Sequence, residues 1–195
     1  MPVDTKDIKT LREKTGAGIL DCKNALEKTG GDFDKAAEIL RKKGHHIAEK
    51  KSARTTKEGR IGSYIHFNGK VGVLMEVNCE TDFVAKNELV EQLLKDLCMQ
   101  IAATKPLSVS KEDVPSEVTE EKKTEFQREA SGKPPEIIDK IITGKLAAFY
   151  KEKCLLEQPF IKDDTQTVKD VLTACIAKVG ENIRINRFAR FEVGQ

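Results

Sequence analysis

The sequence predicts an α+β fold: a three-helix head, then a small antiparallel sheet packed with further helices. Three observations carry this reading. Apolar residues recur at helical spacing from Ile8 to Leu40, punctuated by glycines. The period changes to two at Ile61 and again near Ile183. Helical stripes fill most of the chain between those strands, which places helices beside an antiparallel sheet.

In the head, Asp4 or Thr5 caps a first helix with Ile8 and Leu11 on one face, and Gly16 and Gly18 break it. A second helix runs from about Ile19 to Lys28, with Ile19, Leu20, Ala25 and Leu26 apolar, and Gly30-Gly31 stops it. Asp32 caps a third, which carries Ala36, Ala37, Ile39 and Leu40. Gly44, just after Arg41-Lys42-Lys43, is expected to end it on both steric and electrostatic grounds. From Arg41 to Arg60, eight Lys or Arg stand against Glu49 and Glu58 alone. Without interleaved aromatics, this stretch reads as a solvated helix end and linker, with an anionic-partner site as the alternative. Residues 1–54 are therefore assigned to a helical head and linker, and residues 55–195 to an α+β core.

Within the core, Ile61, Ser63, Ile65 and Phe67 share one parity, as do Val71, Val73, Met75 and Val77. Asn68-Gly69 between them predicts a hairpin over 60–78 closed by a type I′ turn. Leu89, Leu93, Leu94, Leu97, Ile101 and Ala102 predict a helix over 87–104, stopped at Lys105-Pro106. Ser116 opens a strongly charged helix, and Ser131-Gly132-Lys133-Pro134-Pro135 turns it into a second. The resulting helical hairpin over 116–152 is expected to stand away from the core. Thr167 caps a helix over 167–179, ended by Gly180, with Val168, Val171, Leu172, Cys175, Ile176 and Val179 inward. Ile183, Ile185, Ala189, Phe191 and Val193 share one parity and predict a final strand over 182–193.

Composition excludes several classes. With 34 basic and 32 acidic residues the net charge is only +2, so no general basic coat for nucleic acid exists. No run approaches the ~18 apolar residues of a membrane span, and the polar start of the chain lacks the apolar centre of a secretory leader. Five cysteines without a CxxC pair argue against a zinc knuckle or a thioredoxin-type site. They read as buried or half-buried thiols of a protein kept in a reducing cytoplasm. His45, His46 and His66 do not form a metal-ligand pattern, and neither a metal nor a cofactor is expected. Gly16-Ala17-Gly18 falls short of any phosphate-binding glycine loop, and GxSxG and HExxH are absent. The protein is not expected to be an enzyme.

One segment resists a purely structural account. After the hairpin comes Cys79-Glu80-Thr81-Asp82-Phe83-Val84-Ala85-Lys86-Asn87, where the strand pattern has ended and the next helix has not begun. Phe83 either folds back as a staple before an Asn87 cap or stands exposed beside Asp82 as an anchor for a partner. Pattern alone leaves both open.

Two long motifs carry a resemblance. Leu11-Arg12-Glu13-Lys14-Thr15-Gly16-Ala17-Gly18-Ile19-Leu20-Asp21-Cys22-Lys23 resembles the N-terminal signature of the bacterial elongation factor Ts family, and Val77-Asn78-Cys79-Glu80-Thr81-Asp82-Phe83-Val84-Ala85 resembles its second signature. Gln158-Pro159-Phe160 and Arg190-Phe191-Glu192-Val193-Gly194 match in order, so the resemblance spans essentially the whole chain. It implies guanine nucleotide exchange on elongation factor Tu, in its GDP-bound and nucleotide-free states, in the cytoplasm, with neither nucleic acid nor membrane as direct partner. It implies a ubiquitin-associated-like head that touches the GTPase through Arg12, Ile19 and Leu20. Family members often carry methionine where this chain has Ile19 and Leu20. It further implies that Thr81, Asp82, Phe83 and Val84 enter the partner and disturb its magnesium site.

Longer members of the family carry two copies of the core subdomain and this chain has one. A homodimer through the sheet edge or the apolar faces of the hairpin would supply the second copy. Two rival readings remain at this stage. One is an RNA- or ribosome-associated protein using Arg41–Arg60 with Arg184, Arg187 and Arg190; the other is a ubiquitin-associated-like adaptor without effect on nucleotide.

Overall fold

The computed structural model describes residues 3–194; Met1, Pro2 and Gln195, and the expectations that touch them, lie outside that range. The fold is α+β, with eight α-helices and a three-stranded antiparallel sheet among the described residues. The head consists of α1 (Thr5–Thr15), α2 (Ile19–Thr29) and α3 (Phe33–Ser52). Asp4 caps α1 and Asp32 caps α3, each carboxylate accepting a backbone N–H at 3.1 Å. Glycines at positions 16 and 30 take left-handed backbone to end α1 and α2. Leu11, Cys22, Ala25, Leu26, Ala36 and Leu40 form the head's core, with Ile8 and Phe33 packed against it.

Helix α3 does not stop at Gly44. It runs eight residues further, and the continuing stripe of Leu40, Gly44, Ile47 and Ala48 stays buried or half-buried. The reason lies in α8 (Val168–Val179). Arg41 and His45 both reach the Asp170 carboxylate, at 3.1 and 2.7 Å, and Gly44 faces Thr173 and Ala177. Farther along, Lys51 Nζ donates to the carbonyl of Gly180 at 2.5 Å. Together these contacts outweigh the ~1 kcal/mol that a glycine costs inside a helix.

The three-stranded sheet has the order β1 (Glu58–Ile65), β2 (Val71–Cys79), β5 (Ile183–Glu192). The hairpin between β1 and β2 forms, but its turn is not type I′. Gly69 N–H closes a turn on the carbonyl of His66 at 2.8 Å, and of the two central residues named from the sequence only Gly69 has positive φ. The Asn68 side chain instead accepts the Lys70 N–H at 3.0 Å, an alternative use of the same residue that leaves its backbone unstrained.

Parity also departs from expectation. On β2, Val73, Met75, Val77 and Cys79 are buried. On β1 the apolar parity, Ile61 and Ile65, faces outward, because glycine at 62 is the residue that meets Leu94. On β5, Ile183 and Ile185 are buried while Phe191 and Val193 are exposed, although all four share one parity. The strand changes register between them. At the change, Asn186 and Arg187, two consecutive residues, both serve the Glu76 carboxylate at 2.9 and 2.8 Å. Beyond it Arg190 turns inward and donates to the carbonyl of Ala102.

A one-turn helix, α4 (Asp82–Ala85), follows β2, and α5 (Glu88–Thr104) comes after it. The helical hairpin is α6 (Ser116–Glu129) and α7 (Pro135–Lys153), joined in part by Lys145, which pairs with Glu129 and lies over the Phe126 ring. A two-stranded ribbon of β3 (Pro159–Phe160) and β4 (Asp163–Thr167), not expected from the sequence, precedes α8. Gln158 is buried under it, bonded to Gln100 at 3.0 Å and to Thr104 at 2.7 Å. All five cysteines are free and buried. No helix among the described residues is long and apolar enough to cross a membrane.

The chain divides into two compact units. One gathers the head with Val77–Leu93 and Asp170–Arg184; the other holds Gly62–Glu76, Leu94–Lys169 and the residues from Ile185 onward.

Two glycines give opposite expectations. A methyl group at position 44 meets only ordinary contacts, to Thr173 Cγ2 at 3.8 Å and Ala177 Cβ at 3.9 Å. Gly44→Ala should therefore raise stability by about 0.5–1 kcal/mol. A methyl at position 59 would collide with the backbone carbonyl of Val77, which cannot move aside. Gly59→Ala should lower stability by about 1–3 kcal/mol. Urea unfolding of the two variants checks both signs.

Candidate partner-binding site

The compact unit that contains the head also contains the segment that resisted structural accounting. Thr81 has extended backbone and caps α4, its hydroxyl accepting the Val84 N–H at 3.4 Å. A helix of one turn needs outside support, and here it comes from both flanks. Val84 and Ala85 are buried, which anchors the turn on its inner side. Asn87 then starts α5, its side chain accepting the Leu89 N–H at 2.9 Å.

With Val84 inward, helical geometry forces Phe83 outward. Its side chain is 83% exposed, so it is not a staple on its own core. Asp82 is exposed beside it and pairs with Lys86 at 2.8 Å across the turn. That hydrogen bond holds the Asp82 carboxyl below its ordinary range and raises the Lys86 ammonium. Of the four residues singled out from the sequence, the structure presents Asp82 and Phe83 to solvent. It turns Val84 into the core and leaves Thr81 half-buried, engaged with its neighbours.

Thr81 is held from a distant part of the chain. Its N–H donates to Glu181 Oε2 at 3.0 Å and its hydroxyl to Glu181 Oε1 at 2.8 Å. One residue away on each side the arrangement reverses, and the Asn182 N–H donates to Glu80 Oε1 at 2.7 Å. That backbone donor, ahead of Arg54 at 3.3 Å, holds the Glu80 carboxyl low. Asn182 Nδ2 then reaches the carbonyls of Ser52 and Arg54 at 3.3 and 2.9 Å, at the end of α3. Cys79 closes the base of the segment, its thiol donating to the carbonyl of Thr81 at 3.0 Å. Burial pushes that thiol up. The sequence reading gave Glu181 and Asn182 no role at this site. Their only local signal is the short polar break between α8 and β5, and the pairing spans about a hundred residues.

The head presents a second exposed apolar pair. Ile19 is 59% and Leu20 68% exposed at the start of α2, and Arg12 on α1 is exposed as well. Leu26 and Leu40, which share the head's helices, are buried. The basic stretch that raised an RNA alternative is largely engaged within the chain. Arg41 pairs with Asp170, Lys43 with Asp21, Arg54 with Glu80, and Arg60 with Glu91. Arg187 pairs with Glu76, and Arg190 with Glu192. Among the described residues no group of His, Cys, Asp and Glu is arranged to hold a metal ion.

The geometry of this unit is thus one of exposed apolar side chains, Phe83, Ile19 and Leu20, mounted on elements whose other faces are buried. Comparison with known proteins gives the family. A family model described as "Elongation factor TS" matches residues 21–195. The chain is 55% identical to the Elongation factor Ts of Thermotoga petrophila over 195 residues, covering all of this chain and 98% of that one. It is equally similar, 55% with the same coverage, to the Elongation factor Ts of Thermotoga maritima. With the Elongation factor Ts of Thermodesulfovibrio yellowstonii it shares 54% over 196 residues, covering 98% of that protein. The chain belongs to the elongation factor Ts family, a family of translation elongation factors, and spans nearly the full length of these relatives.

The exposure pattern sets a stability expectation. Phe83→Ala and Ile19→Asp should each change unfolding free energy by less than about 0.5 kcal/mol, as surface substitutions do. Leu26→Ala, in the head's core, should cost about 2–5 kcal/mol. Denaturant melts of the three variants measure the contrast.

Proposed function

We propose that this protein is a guanine nucleotide exchange factor for elongation factor Tu, acting in the cytoplasm during translation elongation without covalent chemistry. The observation that carries the reading is the exposed Phe83 on α4, beside Asp82, in a chain whose relatives are elongation factors Ts. A folded protein leaves an isolated, rigidly mounted phenylalanine in water at a cost that a partner's pocket removes, roughly 2 kcal/mol or more on burial. If that burial is available only in the nucleotide-free shape of the GTPase, it drives the GTPase toward that shape. Tighter binding to the empty GTPase then weakens nucleotide by the same factor, since binding is reciprocal.

The division of labour follows the exposure. Arg12, Ile19 and Leu20 on the ubiquitin-associated-like head dock the GTPase. Phe83 enters between its elements, and Asp82 brings negative charge toward the network around Mg²⁺, whose loss exposes phosphate charge. Thr81 and Val84 serve the same loop from inside, as its cap and its anchor. GTP, in excess over GDP, then rebinds and expels the factor. The engagement of Arg41, Arg54, Arg60, Arg187 and Arg190 within the chain favours this reading over an RNA-binding one.

The protein acts as a homodimer in this proposal. Support comes from the second unit, where Ile65 at the end of β1, Leu74 on β2, Phe191 on β5 and Val193 just after it are exposed and line a shallow apolar groove. Self-association through such a face is isologous and buries residues that would otherwise be an aggregation hazard.

Release of labelled GDP from elongation factor Tu tests the function. Phe83→Ala should slow the accelerated release about 30-fold, the equivalent of ~2 kcal/mol of lost burial. Asp82→Ala should act on the same step, and the double variant should be non-additive because both side chains enter one site. Parent-rate exchange by Phe83→Ala refutes the wedge. Ile19→Asp should weaken complex formation with little change in melting temperature. Light scattering at micromolar concentration should return twice the chain mass, and a monomer with full exchange activity refutes the dimer.

A further inference from the structure

The turn between α8 and β5, Gly180-Glu181-Asn182, holds the Phe83 segment through long-range polar contacts. Glu181 takes both the N–H and the hydroxyl of Thr81. Asn182 gives its N–H to Glu80 and its side-chain amide to the end of α3. Gly180 receives Lys51, also from α3. The two carboxylates thus cross: each side of the clasp supplies one acid and one backbone amide. Asn182 is buried, and Glu80, Thr81 and Glu181 are half-buried, so water competes weakly for these bonds.

We propose that Glu181, together with Asn182 and Glu80, is a positioning residue for nucleotide exchange: the clasp fixes the cap of α4 and thereby the direction in which Phe83 is presented. The proposal rests on the exchange function and the Phe83 wedge described above, and extends them to residues that touch neither the GTPase nor the nucleotide. α4 is too short to hold its own conformation. Its N-terminal cap, Thr81, uses its hydroxyl twice, accepting from Val84 and donating to Glu181. Losing the Glu181 carboxylate frees Thr81 to rotate away from the cap position. Val84 and Ala85 still anchor the segment by burial, so the fold survives while the exposed turn loses its single orientation. A mobile Phe83 must then be ordered at the moment of insertion, a cost that falls on nucleotide release and not on the first encounter through Ile19 and Leu20.

The experiment measures GDP release from elongation factor Tu as a function of factor concentration, using the full chain, for Glu181→Ala, Glu181→Gln and Phe83→Ala. The expected result for Glu181→Ala is a maximal release rate lower by about tenfold, with the half-saturating concentration changed less than about twofold. Glu181→Gln keeps one acceptor for Thr81 and should recover part of the rate. Backbone amide hydrogen exchange supplies the readout that a merely structural role would not move: Thr81–Lys86 should exchange faster in Glu181→Ala while the head helices keep their protection. If Glu181→Ala does not fold, the Glu181→Gln rate and its amide exchange decide the matter alone. Parent rates for the folded Glu181 variants, with Phe83→Ala impaired, overturn the positioning role and leave the wedge intact. Parent rates for Phe83→Ala overturn the wedge and the positioning role together.

Discussion

The crossed pair of carboxylate–amide bonds between Glu80 and Asn182 and between Glu181 and Thr81 is the constraint on which the exposed site depends. It joins three things that the chain keeps far apart: the exit from β2, the entry to β5, and the end of the long head helix. Hydrogen bonds to carboxylates are stronger than those between neutral groups, and here they satisfy the backbone donors of Thr81 and Asn182 at the edges of regular structure. The extension of α3 through Gly44 belongs to the same system. Ser52 and Arg54 lie within reach of Asn182 only because the helix continues, and the continuation is held by Arg41, His45 and Lys51 against α8 and the turn that follows it.

Such support explains how one unit both folds stably and leaves apolar groups in water. The head buries Leu11, Leu26 and Leu40 and can leave Ile19 and Leu20 outside because α2 is already fixed by Cys22, Ala25 and Leu26 on its other face. The same logic operates at α4 over four residues, with Val84 and Ala85 inside and Phe83 outside. Burial and exposure are thus carried by adjacent residues of one helical turn, and substitutions can separate their effects.

Much of this was legible in the sequence. Glycine and aspartate punctuation marked the first two head helices almost to the residue, and the start of the third, because caps are local chemistry. The period-two runs marked the strands, and the mismatch between Phe83 and its surroundings marked the loop. What failed was whatever depends on a distant partner. Gly44 next to basic residues is a sound local stop signal, overridden by α8. Asn68-Gly69 fits two turn geometries, and the side-chain bond to Lys70 selects the other one. The apolar parity of β1 identified the outward face, since only contact with Leu94 reveals that a glycine faces in. The constant apolar parity of β5 concealed a change of buried face near Asn186 and Arg187, where both side chains bond Glu76 on a neighbouring strand. Glu181 could not be found at all: an acid in a short polar turn has no distinguishing local pattern, and its partner lies a hundred positions away.

The five buried cysteines have a consequence for the conditions under which such a factor works. Burial raises the thiols of Cys98 and Cys175 to about 11, and pushes Cys79 and Cys154 upward as well. At neutral pH only on the order of one in ten thousand of the Cys98 and Cys175 side chains is a thiolate, the form that oxidants and disulfides attack. Cys79 stands two residues from Thr81, yet its proton is engaged by the Thr81 carbonyl. Oxidation of Cys98 and Cys175 is therefore expected to wait on opening of the fold that buries them.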